Sequence, residues 1–86
     1  AGVDPRLAAC IVEAESQFDV MHRGDLDERG LYQILPSTAV WVAGKMGWVG
    51  FELEWLDDPV KNIEMGTWIL AHYPTWFSTY PLCTDD

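Results

Sequence analysis

Two Asp-Pro pairs, Asp4-Pro5 and Asp58-Pro59, constrain the fold most, because an Asp followed by a Pro is typical of a helix start. The Asp side chain caps free N–H groups of the first turn, where the N–H that Pro lacks would have no partner in any case. Pro36 opens another helix between these two, which we expect to end near Lys45. Pro74 ends the last of the three. The chain is therefore predicted to be mostly helical.

The first helix carries a glutamate within its apolar face. At 3.6 residues per turn Glu15 falls among apolar side chains, whereas Glu13 points almost the opposite way. The apolar residues of this face are Leu7, Ala8, Ile11, Val12, Ala14 and Phe18. A carboxyl group with such neighbours loses solvation of its charged form, so its pKa rises towards the range of a general acid. The pattern predicts either a proton donor at Glu15 or a side chain at the edge of the face that extends into water.

The third helix offers two lines of side chains. The predicted core stripe is Val60, Ile63, Thr67 and Leu70, and the line beside it is Asn62, Gly66, Ile69 and Tyr73. Gly66 lies one turn from Asn62, which leaves space beside the Asn amide. That space suits either a packed neighbour or a ligand.

The segments between the helices are predicted to be irregular. Residues 19–29 are polar and contain Gly24, so they favour a loop or a short hairpin. Residues 48–57 combine glycines with apolar residues without a clear period, and we expect a loop with one helical turn.

Length and charge limit the possible functions. The 86 residues suit one domain, and a hydrophobic content of 49% is enough for a packed core. A formal net charge of −9 disfavours binding to nucleic acid or to an anionic membrane surface. No apolar run approaches the roughly 20 residues of a membrane span, and no secretory leader precedes Val3. We therefore expect a mature or excised product, or a chain that travels without a leader.

The cysteines and histidines are few. Cys10 and Cys83 are the only cysteines, and a bond between them would close nearly the whole chain. Such a disulfide suits a small exported domain and would contribute on the order of 4 kcal/mol, whereas two separately buried thiols are the alternative. His22 and His72 lack the spacing of paired ligands, so no metal site is predicted.

Three blocks, taken together and in this order, resemble the lytic transglycosylase family related to soluble lytic transglycosylases and goose-type lysozymes. The first is Glu15-Ser16, at the end of an apolar helix. The second, residues 30–36 followed by Thr38-Ala39, reads Gly-Leu-Tyr-Gln-Ile-Leu-Pro, where the family has Gly-Leu-Met-Gln before a Pro. The third, residues 58–66, follows the family pattern Asp-Pro-x-x-Asn-Ile-x-x-Gly. The resemblance covers roughly residues 3–73 and implies a mostly α fold (α+β, lysozyme-like), with a short loop or hairpin beside the active-site cleft.

The resemblance implies that Glu15 is the single acid that cleaves the β-1,4 bond between N-acetylmuramic acid and N-acetylglucosamine in peptidoglycan. The acid would protonate the leaving oxygen, and the carboxylate would then take a proton from the attacking group. Attack by the sugar's own 6-hydroxyl gives a 1,6-anhydro product, whereas attack by water makes the enzyme a lysozyme. Ser16 would orient the acid, unless it is only a helix-terminal hydroxyl. Gln33 and Asn62 would bind the sugar through their amides, which both donate and accept hydrogen bonds. No cofactor is implied.

The chain departs from the family pattern in two of these regions. Tyr32 stands where the family has Met, and an aromatic wall there would stack on a sugar ring. The family's later Tyr-Asn-Ala-Gly-like block has no counterpart before Asp86, so residues 1–86 are interpreted as one domain of this type that lacks the family's last helices. Its supporting tyrosine would be replaced by Tyr73 or Tyr80, or supplied by another chain. Tyr73 is also a candidate for sugar binding, together with Tyr32, Gln33 and Asn62.

The sequence also contains an acidic cluster and five tryptophans. Asp25, Asp27 and Glu28 are either a solvated loop or the source of a water-activating carboxylate opposite Glu15. An inverting hydrolase would hold its two carboxyl groups roughly 6.5–9.5 Å apart. The tryptophans include candidates for a sugar platform, although most are expected in core or rim packing. None is assigned to a site.

These expectations describe an enzyme that cuts peptidoglycan glycan strands. Such a protein would be exported, periplasmic or facing the cell wall, or encoded by a phage, and would belong to a larger polypeptide or phage assembly. The alternative is a glycan-binding or virion structural module that keeps the fold without efficient catalysis. The absent later block favours the module, and the presence of Glu15, Gln33 and Asn62 favours the enzyme.

Overall fold

The computed structural model describes residues 2–77 and Cys83, and within them the secondary structure is almost entirely helical. The α-helices are α1 (Pro5–Ser16), α2 (Pro36–Met46) and α3 (Pro59–His72). Two short 3-10 helices follow α2 and α3, at Leu53–Asp57 and Pro74–Phe77. The predicted starts of all three α-helices are confirmed, and α2 ends one residue later than predicted.

Both Asp-Pro pairs cap their helices as the sequence predicts. The Asp4 carboxylate accepts a hydrogen bond of 2.8 Å from the Arg6 N–H, and the Asp58 carboxylate accepts one of 3.0 Å from the Val60 N–H. Each cap satisfies an N–H group that the first helical turn leaves without a partner. Helix α2 has no side-chain cap and relies on Pro36 at its first position.

The buried face of α1 is narrower than its apolar pattern indicates. Its buried residues are Ile11, Val12 and Ser16. Ala14 and Phe18 belong to the predicted apolar face but are not buried, because Ala14 is exposed and Phe18 keeps 56% of its surface accessible. The helix ends at Ser16, and residues 17 and 18 both have positive φ, which turns the chain away before the apolar face can continue.

The buried face of α3 is the line beside the predicted core stripe. Asn62, Gly66 and Ile69 are buried, whereas Val60 and Ile63 of the predicted stripe are 64% and 38% exposed. Leu70 of the predicted stripe is buried as expected, so hydrophobicity alone favours the wrong face only in the first half of the helix. A Cβ at Gly66 would overlap the ring of Tyr32, so this face of the helix is the one that receives the loop preceding α2.

The core lies between the three helices and the loop before α2. Its buried hydrophobic residues are Ile11, Val12, Leu31, Tyr32, Ile34, Ala39, Val42, Ala43, Leu56, Met65, Ile69, Leu70 and Cys83. Residues 48, 51 and 53 of the α2–α3 connection pack against this cluster from outside.

The connection between α1 and α2 is a compact loop with two isolated bridges. Arg29 pairs antiparallel with Arg23 on one side and with Ile34 on the other. Backbone hydrogen bonds of 3.1 and 3.2 Å join Arg29 and Ile34 in both directions. The predicted loop or short hairpin is therefore present, although no continuous strand forms within the described part of the chain.

A disulfide joins Cys10 of α1 to Cys83, with their Cα atoms 5.5 Å apart. The bond spans 73 residues, so in the chain-entropy model it restricts the unfolded state by roughly 4 kcal/mol. Among the described residues, none of the helices is long and apolar enough to cross a membrane.

The packing of Tyr32 against α3 predicts opposite effects for two helix glycines. Gly66→Ala forces a methyl group into the Tyr32 ring and is expected to lower the free energy of unfolding by about 1–3 kcal/mol. Gly44→Ala in α2 meets no atom within 4 Å and is expected to raise it by up to about 1 kcal/mol, because Ala is the better helix former. Urea unfolding followed by circular dichroism measures both changes. Equal changes in the free energy of unfolding for the two substitutions would contradict the close packing of Tyr32 on Gly66.

Candidate active site

A cleft of about 350 Å³ lies at the C-terminal end of α1, within the usual size range of small-molecule sites. Its lining residues are Ala14, Glu15, Ser16, Gln17, Asp19 and His22. All of them come from the last turn of α1 or from the turn that follows it. One short stretch of chain therefore provides a carboxylic acid, a second carboxyl group and an imidazole around a common space.

Glu15 lies at the border between the buried and exposed faces of α1. It is half-buried, follows the buried Ile11 by one helical turn and immediately precedes the buried Ser16. The helix thus holds the carboxyl group next to the core while presenting it to the cleft. Glu13 is exposed on the opposite side of the helix, so it serves as a control for Glu15.

Two residues in left-handed conformation bring Asp19 and His22 back to the end of α1. Gln17 and Phe18 have φ of 53° and 63°. The Asp19 N–H then donates to the Ser16 carbonyl at 3.0 Å, and the His22 N–H donates to the Asp19 carbonyl at 3.2 Å. The turn is closed by the Asp19 carboxylate, which accepts a 3.0 Å hydrogen bond from the Met21 N–H.

Asp19 was not among the predicted site residues, and His22 was considered only as a metal ligand. Both follow Glu15 closely along the chain, at four and seven residues. This short separation in sequence was the signal that could have identified them as neighbours of Glu15. A reversal at Gln17 and Phe18 is needed to place them beside Glu15, and neither residue type requires a positive φ. Within the described part of the chain, no group of three or more His, Cys, Asp or Glu side chains is placed to hold a metal ion.

Ser16 is buried and points back along its own helix. Its hydroxyl donates a 3.1 Å hydrogen bond to the Val12 carbonyl, four residues earlier. The single proton of the hydroxyl is therefore engaged with the backbone, and only its lone pairs can serve another group. In this geometry Ser16 supports the end of α1 beneath Glu15.

Asn62, predicted to bind a sugar, is completely buried and makes three hydrogen bonds within the protein. Its Oδ1 accepts from the Tyr32 N–H at 2.8 Å, and its Nδ2 donates to the carbonyls of Arg29 and Leu56 at 2.9 and 3.0 Å. Both N–H groups of the amide are used, and no part of the side chain reaches solvent. The structure corrects the assignment: Asn62 joins three backbone segments and does not face the cleft.

Tyr32, predicted to be a sugar-stacking wall, is also completely buried. Its ring packs on Gly66, and its hydroxyl lies 3.4 Å from Oγ1 of Thr67. Burial raises the pKa of the Tyr32 phenol, and the Thr67 hydroxyl partly offsets that rise. A ring without exposed surface cannot stack on a sugar while the core is closed, so Tyr32 acts as a core residue here.

Gln33 is the predicted sugar-binding amide that lies nearest the cleft. It is half-buried with φ of 51°, and its Nε2 donates to the carbonyls of His22 and Gly30, both at 2.9 Å. The side chain thereby holds the backbone of His22 in place. Its Oε1 accepts no hydrogen bond from the residues that the structure describes, so it retains acceptor capacity for a ligand.

Tyr73 lies apart from the cleft, in a cluster of aromatic rings beyond the end of α3. Its ring centroid is 5.6 Å from that of Trp41 and 6.2 Å from that of Trp76. It is not among the residues that line the space around Glu15. The other candidate for a supporting tyrosine, Tyr80, lies outside the described residues.

The predicted acidic cluster is turned to other partners. Asp27 accepts hydrogen bonds from Arg29 at 3.1 Å and from Arg23 at 3.2 Å, and these guanidinium groups hold its pKa below the usual range. Glu28 accepts from the Leu26 N–H at 2.8 Å, and Asp25 is exposed. None of the three lines the cleft, so the carboxyl group that shares it with Glu15 is Asp19 instead.

Comparison with known proteins identifies a family and a similar solved structure. The family model of the transglycosylase SLT domain matches residues 1–83. A comparison with curated proteins finds no significant match. Among solved structures, the chain is similar to the 70 kDa soluble lytic transglycosylase SLT70 from Escherichia coli, with 25% sequence identity and a TM-score of 0.72. This similarity covers 83% of the chain but only 12% of the larger protein, and it confirms the predicted lysozyme-like fold.

The role found for Asn62 predicts a loss of stability on substitution. Asn62→Asp keeps the shape but removes both N–H donors and sets a carboxyl group against two carbonyl oxygens. We expect it to lower the free energy of unfolding by about 3 kcal/mol or more, since the carbonyls of Arg29 and Leu56 lose their hydrogen-bond donor. Urea unfolding at pH 7 measures the change, with Gln33→Ala as the half-buried comparison. An unchanged unfolding midpoint would return Asn62 to the list of sugar-binding candidates.

Proposed function

The chain belongs to the transglycosylase SLT domain family, and from that premise we propose that it cleaves glycan strands of peptidoglycan as a lytic transglycosylase. The bond we assign to it is the β-1,4 bond between N-acetylmuramic acid and N-acetylglucosamine. We further propose that residues 1–86 form one domain of this kind. The observation that carries the proposal is the half-buried Glu15, held at the end of α1 and lining the cleft.

Glu15 serves as both acid and base in this proposal. Its carboxyl proton passes to the bridging glycosidic oxygen as the bond to the muramic acid carbon breaks. The 6-hydroxyl of the same muramic acid then attacks that carbon, and its proton passes to the Glu15 carboxylate. The reaction yields a 1,6-anhydro sugar and a new hydroxyl end, consumes no water and restores the acid.

The other groups around Glu15 position the substrate. Gln33 Oε1 has acceptor capacity for a sugar hydroxyl or acetamido N–H, and the same side chain holds His22 at the cleft. His22 supplies an imidazole that can form hydrogen bonds with the sugar. Ser16 supports the helix end through its bond to the Val12 carbonyl.

Hydrolysis is the second candidate reaction, and the position of Asp19 favours it. Asp19 lines the same cleft as Glu15, and a second carboxyl group can activate water for attack on the sugar. The products then carry reducing ends and gain the mass of one water molecule. We rank this candidate second because the Asp19 carboxylate already accepts a hydrogen bond from the Met21 N–H.

The disulfide between Cys10 and Cys83 supports a location outside the reducing cytoplasm. Peptidoglycan is reached from the periplasm or from the cell exterior. Such a location fits an exported cell-wall enzyme and a phage-encoded wall-cutting module equally well. In either case the glycan strand is the proposed partner.

The central test compares two glutamates of the same helix. Purified chain is incubated with peptidoglycan sacculi, and the released fragments are quantified by liquid chromatography and mass spectrometry. Glu15→Gln is expected to lower product formation at least about 100-fold, because it removes the proton donor without changing the shape. Exposed Glu13→Gln should keep full activity and serves as the matched control. Retention of most activity by Glu15→Gln would remove Glu15 from the mechanism, and binding without product would support a glycan-binding module.

The product mass separates the two reactions and assigns Asp19. For a transglycosylase the wild type releases 1,6-anhydro fragments, and Asp19→Asn changes their amount by less than about tenfold without altering their chemistry, because no water needs activation. Asp27→Asn is the control, since that carboxylate binds Arg23 and Arg29. Reducing-end products in the wild type that disappear in Asp19→Asn, but not in Asp27→Asn, would establish the hydrolase instead.

A further inference from the structure

Three aromatic side chains form an exposed group that the core does not use. Trp41 lies on α2, Tyr73 caps α3, and Trp76 lies in the 3-10 helix that follows, and these three are called the aromatic corner below. They remain 46%, 37% and 47% exposed. Tyr73 lies between the two tryptophans, with ring planes inclined by 51° to Trp41 and by 61° to Trp76. Large apolar rings are thus kept together at the surface.

Neighbouring contacts hold the aromatic corner in place. The ring centroid of Trp68 lies 6.1 Å from that of Tyr73. The His72 ring stacks on Trp68, with ring centroids 4.0 Å apart. The His72 ring nitrogen Nδ1 also lies 2.9 Å from the Trp68 carbonyl. Rings that are already ordered lose less conformational entropy when a ligand binds, so the corner is preorganised for contact.

Lys45 adds a positive charge beside these rings. Its ammonium lies 5.3 Å from the centroid of Trp41 and is exposed. Among the residues that the structure describes, Lys45 is the only Lys or Arg that forms no ion pair. In a chain with a net charge of −9, the available cation therefore lies at the aromatic corner.

From this combination we propose that the aromatic corner and Lys45 form a second glycan-binding site, whose residues are not among those that line the cleft at Glu15. The apolar face of a sugar ring packs on Trp41 and Tyr73, whose rings offer a large contact area at a low entropic cost. Lys45 pairs with a carboxylate of the peptide attached to the glycan. The choice of a peptidoglycan strand as ligand rests on the proposed function, whereas the site rests on the rings and the charge.

Charge also distinguishes the glycan from other occupants. A second copy of the chain carries the same net charge of −9, and an anionic membrane is likewise repelled. A glycan strand is neutral along its sugars and acidic in its peptides. The aromatic rings and the Lys45 ammonium beside them match that distribution.

Binding is tested in the Glu15→Gln background, which prevents turnover. A soluble disaccharide-peptide from peptidoglycan is titrated into labelled protein and followed by nuclear magnetic resonance. The indole N–H signals of Trp41 and Trp76 should shift, whereas those of Trp48 and Trp55 should stay in place. The latter two form another aromatic group with Lys61 and serve as the internal control. Shifts confined to Asp19, His22 and their neighbours would overturn the second site.

Substitutions then test the assigned roles with purified sacculi. Trp41→Ala is expected to weaken retention roughly tenfold, and Lys45→Gln a few-fold, by loss of ring contact and of charge. Exposed Val40→Ala on the same helix should bind as the parent does. Wild-type binding by Trp41→Ala, or a dimer in sedimentation that Trp41→Ala dissociates, would overturn the proposal. Trp41-dependent binding by a wild-type chain that releases no product would retain the site and reject only the proposed function.

Discussion

The buried amide of Asn62 joins the three backbone segments that determine the shape of the molecule. Its hydrogen bonds connect α3 to the loop before α2, at residues 29 and 32. They also connect α3 to the 3-10 helix Leu53–Asp57, at the Leu56 carbonyl. A buried polar group is costly unless its hydrogen bonds are made, and here all of them are made at 2.8–3.0 Å. Gly30 is part of the same arrangement, because a Cβ there would collide with the Asn62 amide. The loop can therefore approach α3 only where it lacks a side chain.

The cleft depends on this connection through a second amide. The loop held by Asn62 carries Gln33, whose Nε2 binds the carbonyls of Gly30 and His22. The backbone of His22 is thereby held in place, and His22 lines the same cleft as Glu15. Packing of α1 through Ile11 and Val12 positions the other side of the cleft. Two amides and one helix thus hold the site in place.

Features encoded by neighbouring residues could be predicted from the sequence, and features decided by distant contacts could not. Asp4-Pro5 and Asp58-Pro59 mark helix starts because each cap involves residues two positions apart. The buried face of α3 depends on Tyr32, which is distant in sequence, so hydrophobic periodicity selected Val60 and Ile63 instead. The second and third sequence blocks were recognised correctly. Tyr32 and Asn62 were predicted to bind the substrate, but in the structure they bind each other.

This outcome changes what the family resemblance means for function. Tyr32, Asn62 and Gly66 bring the second and third blocks together as packing and hydrogen bonds within the fold, so matching them supports the architecture more directly than the chemistry. The proposed chemistry rests on Glu15 and on the cleft built around it, and Gln33 links the second block to that cleft through the His22 carbonyl.

Electrostatics adds a constraint on how such a domain can approach an acidic polymer. The chain has five Lys and Arg against fourteen Asp and Glu, and ion pairs engage most of those cations. Exposed pairs contribute little stability, but they remove positive charge from the surface. Repulsion between the chain and an anionic wall is screened within about 10 Å, so approach is decided by the groups at the contact. The proposed site therefore joins the Lys45 ammonium to the exposed rings beside it, and the proposed reaction brings the neutral sugars of the strand to the acidic cleft.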